Sequence, residues 1–149
     1  MSAVGRDSDA TVTHVADNGL MPSIADQWLG TGLPFPIRPD AGRITDVSGI
    51  EVVRQSIQTI LDTEPGERIM LPDFGCGLRR YLMEPNTLAT RTSMEVDITS
   101  ALQRWEPRIR LTNVAVTPGE DPSLVWIEIA YVRVADLSPD NLVYPFYLK

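Results

Sequence analysis

"WEPRIRLTNVAVTPGEDPSLVWIEIAYVRV", residues 105–134, is the stretch from which the fold is read. A helical apolar period runs into it through Met94, Ile98, Ala101, Leu102 and Trp105. It stops at Pro107, which has no N–H to continue a helix. The pattern then becomes that of a strand. Ile109 and Leu111 have one parity and Val114 and Val116 the other, so a bulge near Asn113 is needed to keep all four on one face. "PGEDPS" (118–123) is turn chemistry. Residues 124–134 are apolar at nearly every position, which predicts a central strand covered by helices on one face and partly shielded on the other.

Toward the C-terminus, "DLSPDN" (136–141) turns the chain and "LVYPFYLK" (142–149) closes it. Leu142, Tyr144, Phe146 and Leu148 alternate as strand residues do, but Pro145 has no N–H for a ladder, so this is an edge strand. An aromatic-rich open edge is a liability that monomers blunt or cover. Its cover is expected to come from another chain, and deletion of residues 142–149 is expected to leave a folded domain.

Toward the N-terminus, Asn86 is the expected N-cap of the helix that ends at Trp105, although Thr87, Thr90, Thr92 and Ser93 are weak helix formers. A first helix over about 49–62 carries its buried stripe on Ile50, Val53, Ile57, Ile60 and Leu61. Ser48 and Glu51 are spaced for a capping box. Between the helices, "PGERIMLPDFG" (65–75) is expected to lay Leu71 and Phe74 on the core and brace the sheet against the first helix. "WLGTGLPFPIRPDAGRI" (28–44) reads as an extended segment anchored by Trp28, Leu33, Phe35 and Ile37. Residues 1–25 read as a flexible polar arm and 26–149 as one domain. The expected class is α+β: two main helices on a mostly antiparallel sheet, with an extended N-terminal segment.

Composition narrows the function. A net charge of −7 over 149 residues opposes nucleic-acid binding, with "GLRRYL" (77–82) the one basic cluster. One cysteine, Cys76, allows no internal disulfide. No run of about 18 apolar residues suits a membrane span, and the N-terminus lacks a secretory pattern. One histidine (His14) and one cysteine do not make a zinc site or a nucleophile pair. "GTG" and "GCG" are too short to cradle phosphate, so no cofactor is expected.

Two sites remain on residue chemistry alone. Glu64, Glu67 and Asp73 could serve a muralytic hydrolase, and the Glu64–Asp73 separation resembles that of phage-type lysozymes. Arg79, however, stands where those enzymes place a threonine. At the helix-to-strand corner, Glu106 and Arg108 form either a solvated ion pair worth about 0–1 kcal/mol or a docking contact with bidentate arginine geometry.

Four blocks, "LGTGLPFP" (29–36), "VVRQSIQTILDTEPGERIMLPDFGCGL" (52–78), "WEPRI" (105–109) and "NLVYPFYL" (141–148), occur in an order and spacing that resembles the small baseplate-wedge, or sheath-initiator, family of contractile injection systems. That family serves contractile phage tails, type VI secretion and extracellular phage-tail-like particles. The resemblance covers about residues 26–149, and the tripeptide Glu106, Pro107, Arg108 matches the family's signature. It implies a structural protein rather than an enzyme, assembled in the bacterial cytoplasm into a baseplate. It also implies that Glu106, Pro107 and Arg108 dock on wedge proteins, so that Arg108→Ala lowers wedge affinity more than melting temperature. The edge strand (Leu142, Val143, Tyr144, Pro145, Phe146, Tyr147, Leu148) then receives strands from the contractile sheath subunit, with inner tube or hub proteins as further partners. No nucleic-acid or membrane partner is implied.

Overall fold

The structure, a computed structural model, describes residues 28–35, 37, 39, 42 and 46–148. The polar arm at 1–25, His14 and part of the segment 28–44 lie outside the described residues. The elements are β1 (Thr31–Gly32), β2 (Val47–Ser48), α1 (Ile50–Asp62), a 3₁₀ helix (Leu78–Met83), α2 (Leu88–Trp105), β3 (Ile109–Pro118), β4 (Leu124–Arg133) and β5 (Pro139–Tyr147). β3, β4 and β5 form an antiparallel sheet in that order, and β1 and β2 form a separate short antiparallel pair. The helices cover one face of the larger sheet, so the α+β expectation holds.

The core lies between that face and the helices. β4 alternates strictly: Val125, Ile127, Ile129 and Tyr131 are buried, while Trp126 and Glu128 are exposed. Each fully buried aliphatic chain here contributes about 1.5–3 kcal/mol. The partial shielding expected for the other face is confined to Leu124, Ala130 and Val132, which are half-buried. Around Trp126, 38% exposed, the described residues supply no covering layer. In β3 the register shifts between Leu111 and Asn113, which face Tyr131 and Ala130 respectively. Thr112 is the extra residue, and the bulge brings Ile109, Leu111, Val114 and Val116 to the core side as the parity conflict required.

α1 buries Val53, Ile57, Ile60 and Leu61, but Ile50, expected on that stripe, is exposed in the first turn. The expected capping box is not formed. Ser48 is extended and pairs with Thr31, so Gly49, at φ 67°, becomes the N-cap, with no side-chain cap hydrogen bond. The cap of α2 also moves by one residue. Thr87 Oγ1 accepts the Thr90 N–H at 3.2 Å, while Asn86 instead bonds the Pro122 carbonyl and Arg91.

The N-terminal anchors are different from those expected. Trp28 is 77% exposed and Leu33, Phe35 and Ile37 are all exposed, whereas Leu29 is buried. The β1–β2 pairing holds this segment by its backbone, and the neighbouring aromatics are left outside. Leu71 is also exposed rather than on the core. Its loop closes on itself through Gly66 N–H to Pro72 O at 2.6 Å, so the tip at Ile69 and Met70 cannot reach inward. Phe74 does reach the core and lies 5.3 Å from Trp105, with the Arg68 guanidinium 3.8 Å above its ring. Gly75 sits at φ 120°, where a Cβ would lie 2.2 Å from Thr63 O. Only glycine fits there.

β5 is a core element as well as an edge. Leu142 and Leu148 are buried, and Tyr144 and Phe146 pack against the core. Arg54 of α1 grips Asp140 through two hydrogen bonds, at 2.8 and 3.2 Å, and Tyr144 Oη donates to Asp62. Deletion of residues 142–149 would therefore open the core, contrary to the expectation that the remainder stays folded.

Candidate functional site: the free sheet edge and the charged corner

The ladder between β4 and β5 is unbroken from Leu124↔Tyr147 to Val132↔Pro139. Its phase is set at both ends, where Leu148 N–H bonds Ser123 O at 2.6 Å and Arg133 N–H bonds Ser138 O at 3.0 Å. In an antiparallel pair, hydrogen-bonded and non-bonded residue pairs alternate. Residues 140, 142, 144, 146 and 148 therefore direct their backbone groups to β4. Residues 139, 141, 143, 145 and 147 direct theirs away from the sheet. Pro145 lies in the outward set, so its missing N–H costs the internal ladder nothing, and the same is true of Pro139.

The seven residues expected to contact a partner thus divide in two. Leu142, Tyr144, Phe146 and Leu148 point their side chains into the domain. Val143, Pro145 and Tyr147 present both an exposed side-chain face and an unpaired backbone edge among the described residues. The opposite edge of the sheet, β3, has one outward donor taken by a helix side chain. Glu95 of α2 accepts the N–H of Val116 at 2.8 Å, and this position falls in the outward set of β3. On β5 the Asn141 N–H is likewise taken by Asp140 Oδ1 at 2.8 Å, while those of Val143 and Tyr147 have no partner among the described residues. Glu95 shows no distinctive sequence signal, since nothing in a helix pattern says which strand N–H it reaches.

The corner at Glu106–Pro107–Arg108 is not solvated. Glu106 is 1% exposed, which overturns the solvated-pair reading. Arg108 clasps its carboxylate with Nε to Oε1 and Nη2 to Oε2, both at 2.7 Å, and gives Nη1 to the Leu29 carbonyl at 2.7 Å. The Glu106 hydrogen bonds hold the Arg108 guanidinium above its ordinary pKa, although partial burial opposes the shift. Pro107 ends α2, and Arg108 O receives Val134 N–H at 2.9 Å, which ties the corner to the end of β4. Beside the pair lies a groove of about 420 Å³ lined by Trp28, Leu29, Pro107, Arg108, Val134 and Ala135. The arginine is thus an internal clamp for the N-terminal segment, and the exposed part of the corner is Pro107 with the apolar groove. The expectation that Arg108→Ala lowers wedge affinity more than melting temperature did not include this clamp, which adds a stability cost to the substitution.

The acidic residues between the helices have structural partners. Glu64 Oε1 accepts Arg79 N–H at 2.8 Å and so caps the 3₁₀ helix, Glu67 pairs with the Arg79 side chain at 2.8 Å, and Asp73 pairs with Arg104 at 3.1 Å. Cys76 is buried between Gly75 and Gly77, and burial pushes its thiol up to about 12, which makes it a poor nucleophile at neutral pH. Among the described residues no cluster of three or more His, Cys, Asp or Glu could hold a metal, and no helix is long and apolar enough to cross a membrane.

Residues 47–137 match the family model described as baseplate wedge protein gp25. The baseplate wedge protein gp25 of Enterobacteria phage T4 is 35% identical over 94 residues, covering 63% of this chain and 70% of that protein. A crystal structure from Geobacter sulfurreducens, described as a tail lysozyme, superposes with a TM-score of 0.61 at 41% identity, covering 65% of this chain and 88% of that one. A chain of the anti-feeding prophage baseplate gives a TM-score of 0.62 at 24% identity, covering 85% and 91%. At that identity it speaks for the fold alone.

Proposed function

The chain belongs to the family of baseplate wedge protein gp25 and is a structural component of a phage-tail or tail-like baseplate. From that premise we propose that it links the wedge to the contractile sheath and templates the first sheath ring by strand addition. The observation that carries this reading is the open edge of β5. Its inner residues are locked in the core, while its outward backbone groups at Val143 and Tyr147 have no partner among the described residues. Main-chain hydrogen bonds to an added strand would supply affinity, and the exposed Val143, Pro145 and Tyr147 side chains would supply specificity.

In this reading wedge proteins engage the Glu106–Pro107–Arg108 corner through Pro107 and its groove, and the sheath subunit engages β5. Inner tube or hub proteins meet other faces, and assembly takes place in the bacterial cytoplasm. The role is non-catalytic. Glu64 and Asp73 are both spent on structural contacts, so the muralytic alternative has in its favour only the name attached to the Geobacter relative.

Val143→Pro tests the strand-addition step. Its N–H lies in the outward set, so proline leaves the β4–β5 ladder intact and removes one of the two donors offered to a partner. The variant should fold and join the wedge but fail to start sheath polymerisation. Normal sheath growth from baseplates that carry it would overturn the proposal.

A further inference from the structure

The free edge of β5 is unequal in its donors and acceptors. Its outward residues are Pro139, Asn141, Val143, Pro145 and Tyr147. Both prolines of the strand fall in this set, and neither has an N–H. The Asn141 N–H is taken by Asp140 Oδ1 at 2.8 Å. That carboxylate is held in place by Arg54 and by the Tyr131 hydroxyl at 3.0 Å. Among the described residues, backbone donors therefore remain only at Val143 and Tyr147, while every outward residue keeps its carbonyl.

We infer that Pro139, Pro145 and the Asp140 cap keep two copies of this chain from pairing through β5 and select a proline-free strand of another protein. This deepens the strand-addition reading and rests on it for the identity of the occupant. In an antiparallel pairing of β5 with a second β5, each copy donates from Val143 and Tyr147 alone, so at most four hydrogen bonds form whatever the register. A foreign strand with unbroken N–H groups can donate to the carbonyls of residues 139, 141, 143, 145 and 147 and accept from Val143 and Tyr147. The acceptor-rich edge thus rewards a donor-complete partner and penalises its own kind, which carries the same gaps. Proline on an edge is a recognised guard against self-pairing. Here both prolines of the strand have the one parity that blocks self-pairing without weakening the domain.

Equilibrium sedimentation of the purified full chain, from micromolar to several hundred micromolar, tests this without any sheath. The wild type should stay monomeric, and Pro139→Ala/Pro145→Ala should self-associate at least tenfold more tightly. Adding Val143→Pro to that double variant should loosen the self-association again, because it takes the outward donors per copy from four to three. The single Pro145→Ala variant, melting within a degree or two of wild type, keeps the test valid if the double variant folds poorly. Identical sedimentation of wild type and both proline variants overturns the inference, as does a wild-type dimer that Val143→Pro disrupts. If the proline variants self-associate but Val143→Pro still supports sheath growth, the guard stands and the strand-addition reading falls. The reverse pair of results separates them the other way.

Discussion

Replacing Arg108 by alanine should unfold this domain at a much lower temperature than any surface arginine would. The substitution removes two 2.7 Å hydrogen bonds from a carboxylate that is 1% exposed and a third from the Leu29 carbonyl. Breaking a buried ion pair by removing one partner costs about 3–5 kcal/mol, because the remaining charge is left desolvated. The Arg108 side chain itself is 31% exposed, so water can enter where it stood and recover part of that loss. The expected cost is therefore about 2–3 kcal/mol. For a domain of this size that lowers Tm by roughly 6–15 °C. Urea unfolding followed by circular dichroism should give a lower midpoint with an unchanged m-value. Glu106→Gln added to Arg108→Ala should recover part of the loss, since a neutral amide is cheaper to bury than a lone carboxylate. A change in stability within about 0.5 kcal/mol for Arg108→Ala would refute the reasoning. It would mean that Glu106 is not held by Arg108 in solution and that the corner is solvated after all.

Gly75→Ala should cost several kcal/mol, well above the usual glycine-to-alanine effect, because its Cβ would lie 2.2 Å from the Thr63 carbonyl; a variant with wild-type Tm counts against the described turn. Val134→Asp, at an exposed position of the groove beside Pro107, should weaken wedge binding measured by calorimetry while leaving Tm within about 2 °C; unaltered affinity removes the groove from the docking surface. Acid should destabilise the domain through Asp136 and Asp140. The hydrogen bond from the Arg133 guanidinium holds the Asp136 carboxyl down to about 2. Burial pushes Asp140 up, but Arg54, with the Asn141 N–H and the Tyr131 hydroxyl, holds it below its ordinary value overall. Groups depressed on folding contribute stability above their unfolded pKa, about 4, and lose it as pH falls through the folded value. Tm should thus hold from pH 7 to about 5 and fall between about 4 and 2, less steeply in Asp136→Asn; an identical acid profile for that variant rejects the assignment. Purified protein should not clear a peptidoglycan suspension, and clearing abolished by Glu64→Gln would revive the hydrolase.

The strands and helices were legible because their periods are long and consistent. Pro107 marks one boundary outright, and the opposed parities of Ile109/Leu111 and Val114/Val116 require a bulge that the structure places at Thr112. Caps were less legible because they depend on competing partners. Ser48 has the chemistry of an N-cap but is recruited into β2, and Asn86 is drawn off by Pro122 and Arg91. At the corner, residue types suggested an ion pair, yet nothing in "WEPRIR" indicates burial, which depends on Leu29 arriving from 79 residues away. The open edge was readable from Pro145. Its selectivity was not, because the outward parity of Pro139 and the closing of Asn141 by Asp140 follow from ladder phase and side-chain geometry.

Amide hydrogen exchange at Val143 and Tyr147, measured in the free protein and in baseplates carrying the first sheath ring, tests the central claim most directly. In the free protein both amides should exchange rapidly, beside protected neighbours at Leu142, Tyr144 and Phe146. On sheath addition both should slow by about a hundredfold or more, each new backbone bond closing an exposed donor. Rapid exchange that persists at both positions in the sheathed assembly, or strong protection already present in the isolated chain, would contradict it.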